Sequence, residues 1–266
     1  MRLLMSGLTD IGRKRDLNED SLLWEGIPAP AVESGLAYLL AVADGIGGHS
    51  SGEVASATAI AAVRDAVSER LGAAGPVPGP AGLLEEAFGK ANEAVFQLAT
   101  ARDHMNGMGT TLVAVLVAGE KAAAANVGDS RLYLVREEVL SQITVDHSWA
   151  ADQLRLRLMT EADVNRSPFR NVVTRSIGGA EPPAIDTFEI DIRTGDRLLL
   201  ASDGLFGPLE DKDILKPFRR KRKPEGICRA LIRAACKAGG RDNITAVVAW
   251  AVADSRGRGR RFLPVF

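Results

Sequence analysis

Cysteine is scarce in this sequence, and the spacing of its two copies excludes two kinds of site. Cys228 and Cys236 lie eight positions apart in a segment with helical periodicity. At a helical rise of 1.5 Å per residue their Cα atoms would be about 12 Å apart, which is too far for a disulfide. The spacing also matches no zinc motif. We therefore expect two reduced, buried thiols in a cytoplasmic protein.

Long apolar runs and an excess of charge of one sign are missing as well. No apolar stretch reaches the roughly 18 residues that cross a bilayer, and the first ten residues do not resemble a signal peptide. The formal net charge of -1 argues against nucleic acid or an anionic membrane as the main partner. Two basic runs, at 219–223 and 256–261, are interpreted as solvated charge in a loop and at the terminus.

Short β-rich runs alternate with a smaller number of helical ones. Alternation and bounding Gly, Asp or Asn residues predict strands at 36–43, 110–118, 122–127, 131–135, 197–201 and 244–252. Helical periodicity predicts helices at 52–71 and 81–101, within 148–164, and at 225–238. The Pro- and Gly-rich stretch 72–82 between the first two is interpreted as a helix-to-helix loop.

The order of these elements indicates the fold class. Two long helices follow one group of strands, and several strands then come in direct succession, which disfavours a regular βαβ array. We expect an α+β fold in which antiparallel sheets are flanked by helices. A single domain would span residues 1–254, with a loose basic tail at 255–266.

Aspartates recur where apolar strands begin or end. Asp44 and Asp203 each follow an apolar run and precede a glycine, Asp129 follows the strand at 122–127, and Asp242 precedes the last strand. A single Asp-Gly is most often a turn. Four such acids, together with an Asn-Glu-Asp run at 18–20, would repel one another if they shared a cleft. Bound cations would then be needed to neutralise their charge.

The chemistry of these side chains selects the ion. Oxygen ligands favour hard cations such as Mg²⁺ or Mn²⁺, and the three histidines, at 49, 104 and 147, are too scattered for a zinc cluster. Two such ions about 3.5–4 Å apart generate hydroxide and stabilise phosphoryl oxygens. The residues therefore indicate a two-metal site for phosphate-ester hydrolysis, although spacing alone leaves open whether the acids converge.

An ordered series of short motifs resembles the metal-dependent protein phosphatases of the type 2C class, in their compact bacterial branch. The motifs occur in family order over nearly the whole chain up to about residue 253, at positions 9–12, 15, 18–21, 42–49, 52–56, 108–111, 127–131, 146–148, 175–179, 195–196, 202–205 and 241–245. The resemblance implies a four-layer αββα sandwich, with two antiparallel sheets and the metals in a cleft at one end of the sheets.

The resemblance also implies roles for the acids. Asp44 would bridge the two ions, and the carbonyl of Gly45 would bind the second. Asp203 and Asp242 would complete the ligands of the first ion. Asp129 would help to bind a third, weaker ion, or would simply close a Gly-Asp-Ser turn. Some family members place a further acid where this chain has Gly207, so a third ion should be loosely held.

Three residues near the start of the chain would act on water and substrate. Glu19 and Asp20 would hold metal-bound waters and thereby orient the nucleophile. Arg15 would grip the substrate phosphate, because its planar fork suits bidentate contact with two oxygens. The alternative for Arg15 is an ordinary surface arginine in the run Arg13-Lys14-Arg15.

Two features depart from, or vary within, the family pattern. Some relatives place a histidine two residues after the bridging aspartate to protonate the leaving oxygen, whereas this chain has Ile46 there. We expect a metal-bound water to do this work, with His49 as the other candidate.

Residues 146–180 correspond to a variable flap, and its arginines are read either as exposed charge or as a surface that steers acidic phosphopeptides.

Three functions remain open at this point. The favoured one is an active, monomeric, cytoplasmic protein serine/threonine phosphatase that uses two Mn²⁺ or Mg²⁺ ions and acts on phosphoproteins, including a Ser/Thr kinase or its substrates. An inactive, phosphoprotein-binding relative is disfavoured because every metal and phosphate position is filled. A two-metal hydrolase of small phosphate esters or nucleotides is disfavoured because no aromatic-rich base pocket is apparent and residues 45–48 lack the P-loop lysine.

Overall fold

The computed structural model describes residues 1–32, 35–47, 51–101, 105 and 107–253. His49 and the basic tail at 255–266 lie outside the described residues. The strands are β1 (Arg2–Asp10), β2 (Asp20–Pro28), β3 (Leu36–Ile46), β4 (Gly109–Thr110), β5 (Leu112–Ala118), β6 (Lys121–Val127), β7 (Arg131–Arg136), β8 (Val139–Gln142), β9 (Asp186–Asp191), β10 (Arg197–Ala201) and β11 (Ile244–Val252). The helices are α1 (Ser51–Gly72), α2 (Pro80–Thr100), α3 (Trp149–Arg155), α4 (Glu161–Arg166), α5 (Asp203–Phe206), α6 (Asp211–Arg220) and α7 (Pro224–Lys237).

These strands form two sheets in the described part of the chain. One has five strands in the order β1-β11-β10-β7-β8, and the other contains β2-β3-β5-β6-β9 with β4 paired to β3. Each strand pair is antiparallel. The antiparallel α+β sandwich expected from the sequence is confirmed.

Side chains of alternate residues on each strand supply three separate hydrophobic layers. On β3, Leu39 and Ala41 belong to the layer beneath α1 and α2, whereas Leu40 and Val42 belong to the layer between the two sheets. A third layer packs α7 and its neighbours on the outer face of the five-stranded sheet, around Phe218. Because strand side chains alternate between faces, a central strand such as β3 reads as a continuous apolar run and serves two cores at once.

Several elements differ from the sequence prediction. Strand β3 continues two residues past Asp44, because the short strand β4 pairs with Gly45 and Ile46. The first two residues of the basic run at 219–223 form the last turn of α6, and the run as a whole is exposed. The two cysteines are free, as expected, but Cys236 is only half-buried. None of the described helices is both long and apolar enough to cross a membrane.

Candidate metal centre

One end of the sandwich gathers the termini of strands from both sheets. Asp20, at the start of β2, lies directly opposite Asp44 in the β2–β3 ladder. In the other sheet, the end of β10 at Ala201 pairs with Ala246 near the start of β11, so the residues that flank these strands lie at the same end. Acids that are far apart in sequence therefore share one cleft.

Asp20 joins the two sheets at this end. Its Oδ2 accepts hydrogen bonds from Ser202 Oγ at 2.7 Å and from Thr245 Oγ1 at 2.6 Å. Its Oδ1 is buried and has no hydrogen-bond partner in the described residues. Burial raises the pKa of Asp20 to about 7, although the hydrogen bonds from the two hydroxyls lower it. Repulsion from Asp203 and Asp242 adds to the rise.

Asp44 is fixed through its backbone. Its N–H donates to Thr111 Oγ1 at 2.9 Å, and its carbonyl accepts from Thr110 Oγ1 and from the Thr111 N–H, both at 2.9 Å. Burial raises the pKa of the Asp44 carboxyl well above its ordinary range, and repulsion from Asp20 and Asp203 is the next largest cause. Asp129 and Asp242 contribute further repulsion, so four other carboxylates repel that of Asp44.

Gly45 occupies a position that no side chain would fit. A Cβ placed there would lie 2.1 Å from the carbonyl oxygen of Gly52 and 2.8 Å from that of Glu19. The Gly45 N–H donates to the same Glu19 oxygen at 3.1 Å. The backbone of Gly45 is thus pressed between the start of α1 and the loop before β2, which suits a residue whose main chain approaches a bound group.

Asp203 and Asp242 are contributed by the five-stranded sheet. Asp203 is the first residue of α5, and burial, with repulsion from Asp242, raises its pKa to about 6. Asp242 lies just before β11, and its Oδ1 accepts from the Asn243 N–H at 2.9 Å. The two segments are in close contact, because a Cβ on Gly204 would lie 2.0 Å from the Asn243 carbonyl oxygen.

Arg15 lies at the rim of the cleft. Its Nη2 donates to Asp242 Oδ2 at 2.7 Å, its Nη1 lies 4.0 Å from Glu19 Oε2, and its side chain is 48% exposed. Burial raises the pKa of Glu19, while Arg15 opposes that rise. Arg15 is therefore distinguished from Arg13 and Lys14 by its contacts with the acid cluster, as well as by its place in the motif.

Asn243 belongs to the motif at 241–245, but the sequence prediction assigned it no role. Its Oδ1 accepts from the Glu19 N–H at 2.8 Å, and its Nδ2 donates to the carbonyls of Ile11 at 3.1 Å and Leu17 at 2.9 Å. It therefore fixes both ends of the loop that carries Arg15. Its position directly after Asp242 was the available signal.

Asp129 lies two residues after the end of β6. Burial raises its pKa to about 7, and repulsion from Asp203 and Asp146 adds to the effect. The preceding Gly128 has φ +107, and a Cβ there would lie 2.6 Å from Thr111 Cβ. The buried ring of His147 supports this corner, because its Nδ1 accepts from the Gly128 N–H at 3.1 Å.

The flap at 146–180 is anchored at both ends. Isolated bridges pair Ser148 with Val173 and Thr110 with Ile177. Arg155 is paired with Asp152 at 2.8 Å, and Arg175 with Asp186 at 2.8 Å. Two of the flap arginines are therefore neutralised within the protein. For Arg155 this favours the interpretation as exposed charge over a role in steering acidic phosphopeptides.

The residues of the cleft fit hard divalent cations. The candidate ligands are oxygens, and a cation would offset the burial and the repulsion that raise the pKa of Asp44. The buried Oδ1 of Asp20, which has no hydrogen-bond partner among the described residues, could accept a hydrogen bond from a water. No three Asp, Glu, His or Cys side chains in the described residues are arranged to hold an ion by themselves. Mg²⁺ in proteins is commonly bound by one or two carboxylates and keeps several waters, so water and backbone oxygens would complete each shell.

Comparison with known proteins decides between the open functions. The pattern of the family described as Protein phosphatase 2C matches residues 7–244. This chain belongs to the protein phosphatase 2C family. It is 34% identical over 241 residues to the serine/threonine phosphatase stp of Listeria innocua, covering 90% of this chain and 92% of stp. PstP of Mycobacterium tuberculosis is 37% identical over 241 residues, which are 91% of this chain and 43% of PstP.

Solved structures of the protein phosphatase 2C family share the fold. The M. tuberculosis PstP/Ppp structure has a TM-score of 0.80 at 34% identity, covering 94% of this chain and 99% of that one. The catalytic domain of PstP in complex with two manganese ions has a TM-score of 0.79 at 34% identity, covering 94% of this chain and 99% of that one. The chain is a metal-dependent protein serine/threonine phosphatase, and the inactive and small-ester alternatives are not favoured.

Proposed function

We propose that this phosphatase hydrolyses phosphoserine and phosphothreonine in proteins with two Mn²⁺ or Mg²⁺ ions held by Asp44, the Gly45 carbonyl, Asp203 and Asp242, with Asp129 available to a weaker third ion. The observation that carries the proposal is the meeting of acids from both sheets. Asp20 lies opposite Asp44 in one sheet and accepts from Ser202, the neighbour of Asp203, in the other. Burial disfavours the charge of Asp44, and repulsion from four other carboxylates adds to this effect. Such a set is stable in its ionised form only with cations between its members.

The ions, when bound, supply a water that ionises near neutral pH and neutralise charge on the phosphoryl oxygens. The protein's own residues orient the reaction. Asp20 is held by Ser202 and Thr245 through Oδ2, which leaves Oδ1 as an acceptor for water. Glu19 is fixed through its backbone by Asn243, and its carboxylate would accept a hydrogen bond from a second water.

Arg15 is proposed to bind the substrate phosphate. It lies at the open rim, where an incoming phosphate would meet it before reaching the acids. Its guanidinium has two parallel N–H groups, which match two phosphate oxygens. Ile46 has no proton to donate, so the leaving serine or threonine oxygen takes its proton from water in the cleft.

The cellular setting is proposed on the same basis. One catalytic domain would extend over 1–254 and act as a monomer, since each proposed metal ligand comes from the same chain. The substrates would be phosphoproteins, among them a Ser/Thr kinase or the proteins it phosphorylates. Two free thiols favour a reducing, cytoplasmic location.

A manganese titration of Asp203→Asn tests the assignment. With a phosphothreonine peptide we expect the variant to lose at least 100-fold in kcat at saturating Mn²⁺, because one negatively charged ligand is replaced by a neutral one. Asp191→Asn is the matched control, since Asp191 is exposed and its side chain pairs with Arg193. Activity that survives both chelation and Asp203→Asn would overturn the two-metal assignment. A phosphotyrosine peptide in parallel would measure the residue preference.

A further inference from the structure

A basic groove lies beside the loop that carries Arg15, outside the acid cleft. It is a cavity of about 730 Å³ between β1 and α7. Four cations line it, namely Arg13 from the loop and Arg229, Arg233 and Lys237 from α7, against one acid, Asp10. The three α7 cations are spaced at intervals of four residues, so they lie along one face of the helix.

The charges of this groove are only partly neutralised by the protein. Asp10 is occupied, because its Oδ1 accepts from the Gly12 N–H at 2.9 Å and from Arg13 at 3.3 Å. Arg229 is paired with Glu225 at 2.7 Å. Arg233 and Lys237 have no ion pair within the described ranges. They are exposed, and the groove therefore presents net positive charge to solvent.

The dipole of α7 does not account for this cluster. Cations are stabilised near a helix C-terminus, but the effect falls off within the last turn. The helix dipole therefore accounts for Lys237, the final residue of α7, whereas Arg229 and Arg233 lie one or two turns earlier. The dipole at the helix end does not explain why these cations are aligned along a cavity, so the alignment needs another explanation.

The groove is physically joined to the catalytic loop. The Arg13 N–H donates to the Gly240 carbonyl at 2.7 Å, so the loop is tied to the segment that follows α7. Arg15 lies two residues further along and contacts Asp242. Two residues of extended chain span at most about 7 Å. The Cα atoms of Arg13 and Arg15 are therefore close to each other, and this end of the groove adjoins the loop that carries Arg15.

A second cavity extends the groove away from the cleft. It has a volume of about 600 Å³, runs along residues 4–8 of β1, and shares Leu8 and Arg229 with the first. Strand β1 is an edge strand of its sheet. Five strand residues extend over roughly 13 Å at 3.3 Å per residue, which is enough for several residues of an extended peptide.

We propose that this groove binds an acidic segment of the phosphoprotein substrate, so that the enzyme favours phosphoserine or phosphothreonine sites flanked by Asp or Glu. The proposal rests on the proposed phosphatase function and specifies its substrate class. Arg233 and Lys237 hold the acidic side chains, Arg13 lies at the end next to the catalytic loop, and Arg15 takes the phosphate.

The test uses a double variant, Arg233→Gln with Lys237→Gln, and two phosphothreonine peptides. One peptide carries glutamates on both sides of the phosphothreonine, and the other carries glutamines. For the unmodified enzyme at low salt we expect kcat/KM for the glutamate peptide to exceed that for the glutamine peptide at least five-fold. In the variant this ratio should fall to near one through KM, with kcat unchanged. Added salt should remove the preference of the unmodified enzyme.

Three controls separate the possible outcomes. Arg64→Gln with Lys90→Gln removes two exposed cations from the other helical layer and should leave the ratio unchanged. An aryl phosphate should be hydrolysed equally by all variants. Arg166→Gln with Arg170→Gln tests the flap. A ratio unchanged in the groove variant, or lowered only in the flap variant, would overturn the proposal, whereas an inactive unmodified enzyme would instead refute the phosphatase function.

Discussion

The protonation of Asp20 gives a direct test of the electrostatics of the cleft. Its side chain is buried, and burial with neighbouring acids raises its pKa from an ordinary 3.8 to about 7. A carboxyl whose pKa is higher in the folded than in the unfolded state binds more protons when folded. The free energy of unfolding of the metal-stripped protein therefore falls as pH rises between about 4 and 7, and levels off above.

The magnitude follows from these two values. The difference of about 3 pKa units, at 1.36 kcal/mol each, amounts to about 4 kcal/mol above pH 7. Roughly 2 kcal/mol of this already applies at pH 5, which leaves roughly 2–3 kcal/mol to be lost between pH 5 and pH 8. Asp20→Asn removes this contribution. It also removes repulsion on Asp44 and Asp203, which acts in the same direction.

The assay is urea unfolding of the chelator-treated protein at pH 5 and pH 8. The unmodified protein should lose about 2–3 kcal/mol more stability over this range than Asp20→Asn. The comparison uses the pH dependence because the asparagine NH₂ at the unpartnered Oδ1 position adds a cost that does not vary with pH. Asp65→Asn, at an exposed helix position, is the control. Equal pH dependence in Asp20→Asn and the unmodified protein would refute the reasoning.

Two further predictions concern the backbone around the cleft. Gly45→Ala should abolish Mn²⁺-dependent activity and destabilise the fold by several kcal/mol, because its Cβ would meet the Gly52 carbonyl oxygen at 2.1 Å. The control for thermal unfolding is Gly89→Ala, whose Cβ would have no atom of the described residues within 4 Å. Asn243→Ala should raise KM for phosphopeptides and cost about 2–4 kcal/mol of stability, because three backbone groups lose their hydrogen-bond partner; an unchanged KM in steady-state kinetics would show that the Arg15 loop needs no such support.

The central strands could be predicted from sequence because both of their faces are buried. Strands β3, β10 and β11 read as apolar runs, and the acids Asp44, Asp203 and Asp242 lie at or next to their ends. The acids were found for the same reason: an ionisable residue at the end of a buried strand interrupts a strong pattern. The ordered motifs then related those positions to one family.

Strands β1 and β2 were not predicted, because they are edge strands with little contrast between their faces. Most residues of β1 are half-buried, without the alternation that marks a strand with one face in the core. Gly7 within β1 weakens the pattern further, yet the structure requires it, since a Cβ there would lie 2.5 Å from the Trp24 ring. Such a contact depends on the pairing of the two sheets and leaves no local signal.

Asn243 shows why supporting residues are harder to predict than ligands. A carboxylate beside a buried strand is unusual in itself, whereas an asparagine after an aspartate is typical of any turn. Its role arises only because residues 11, 17 and 19, more than 220 positions away, fold back over it.

The cleft thus combines acids that weaken the fold when ionised with backbone contacts that keep them in place. Ion binding should accordingly stabilise the folded protein as well as activate it, since ions that bind only the folded state raise its stability with concentration.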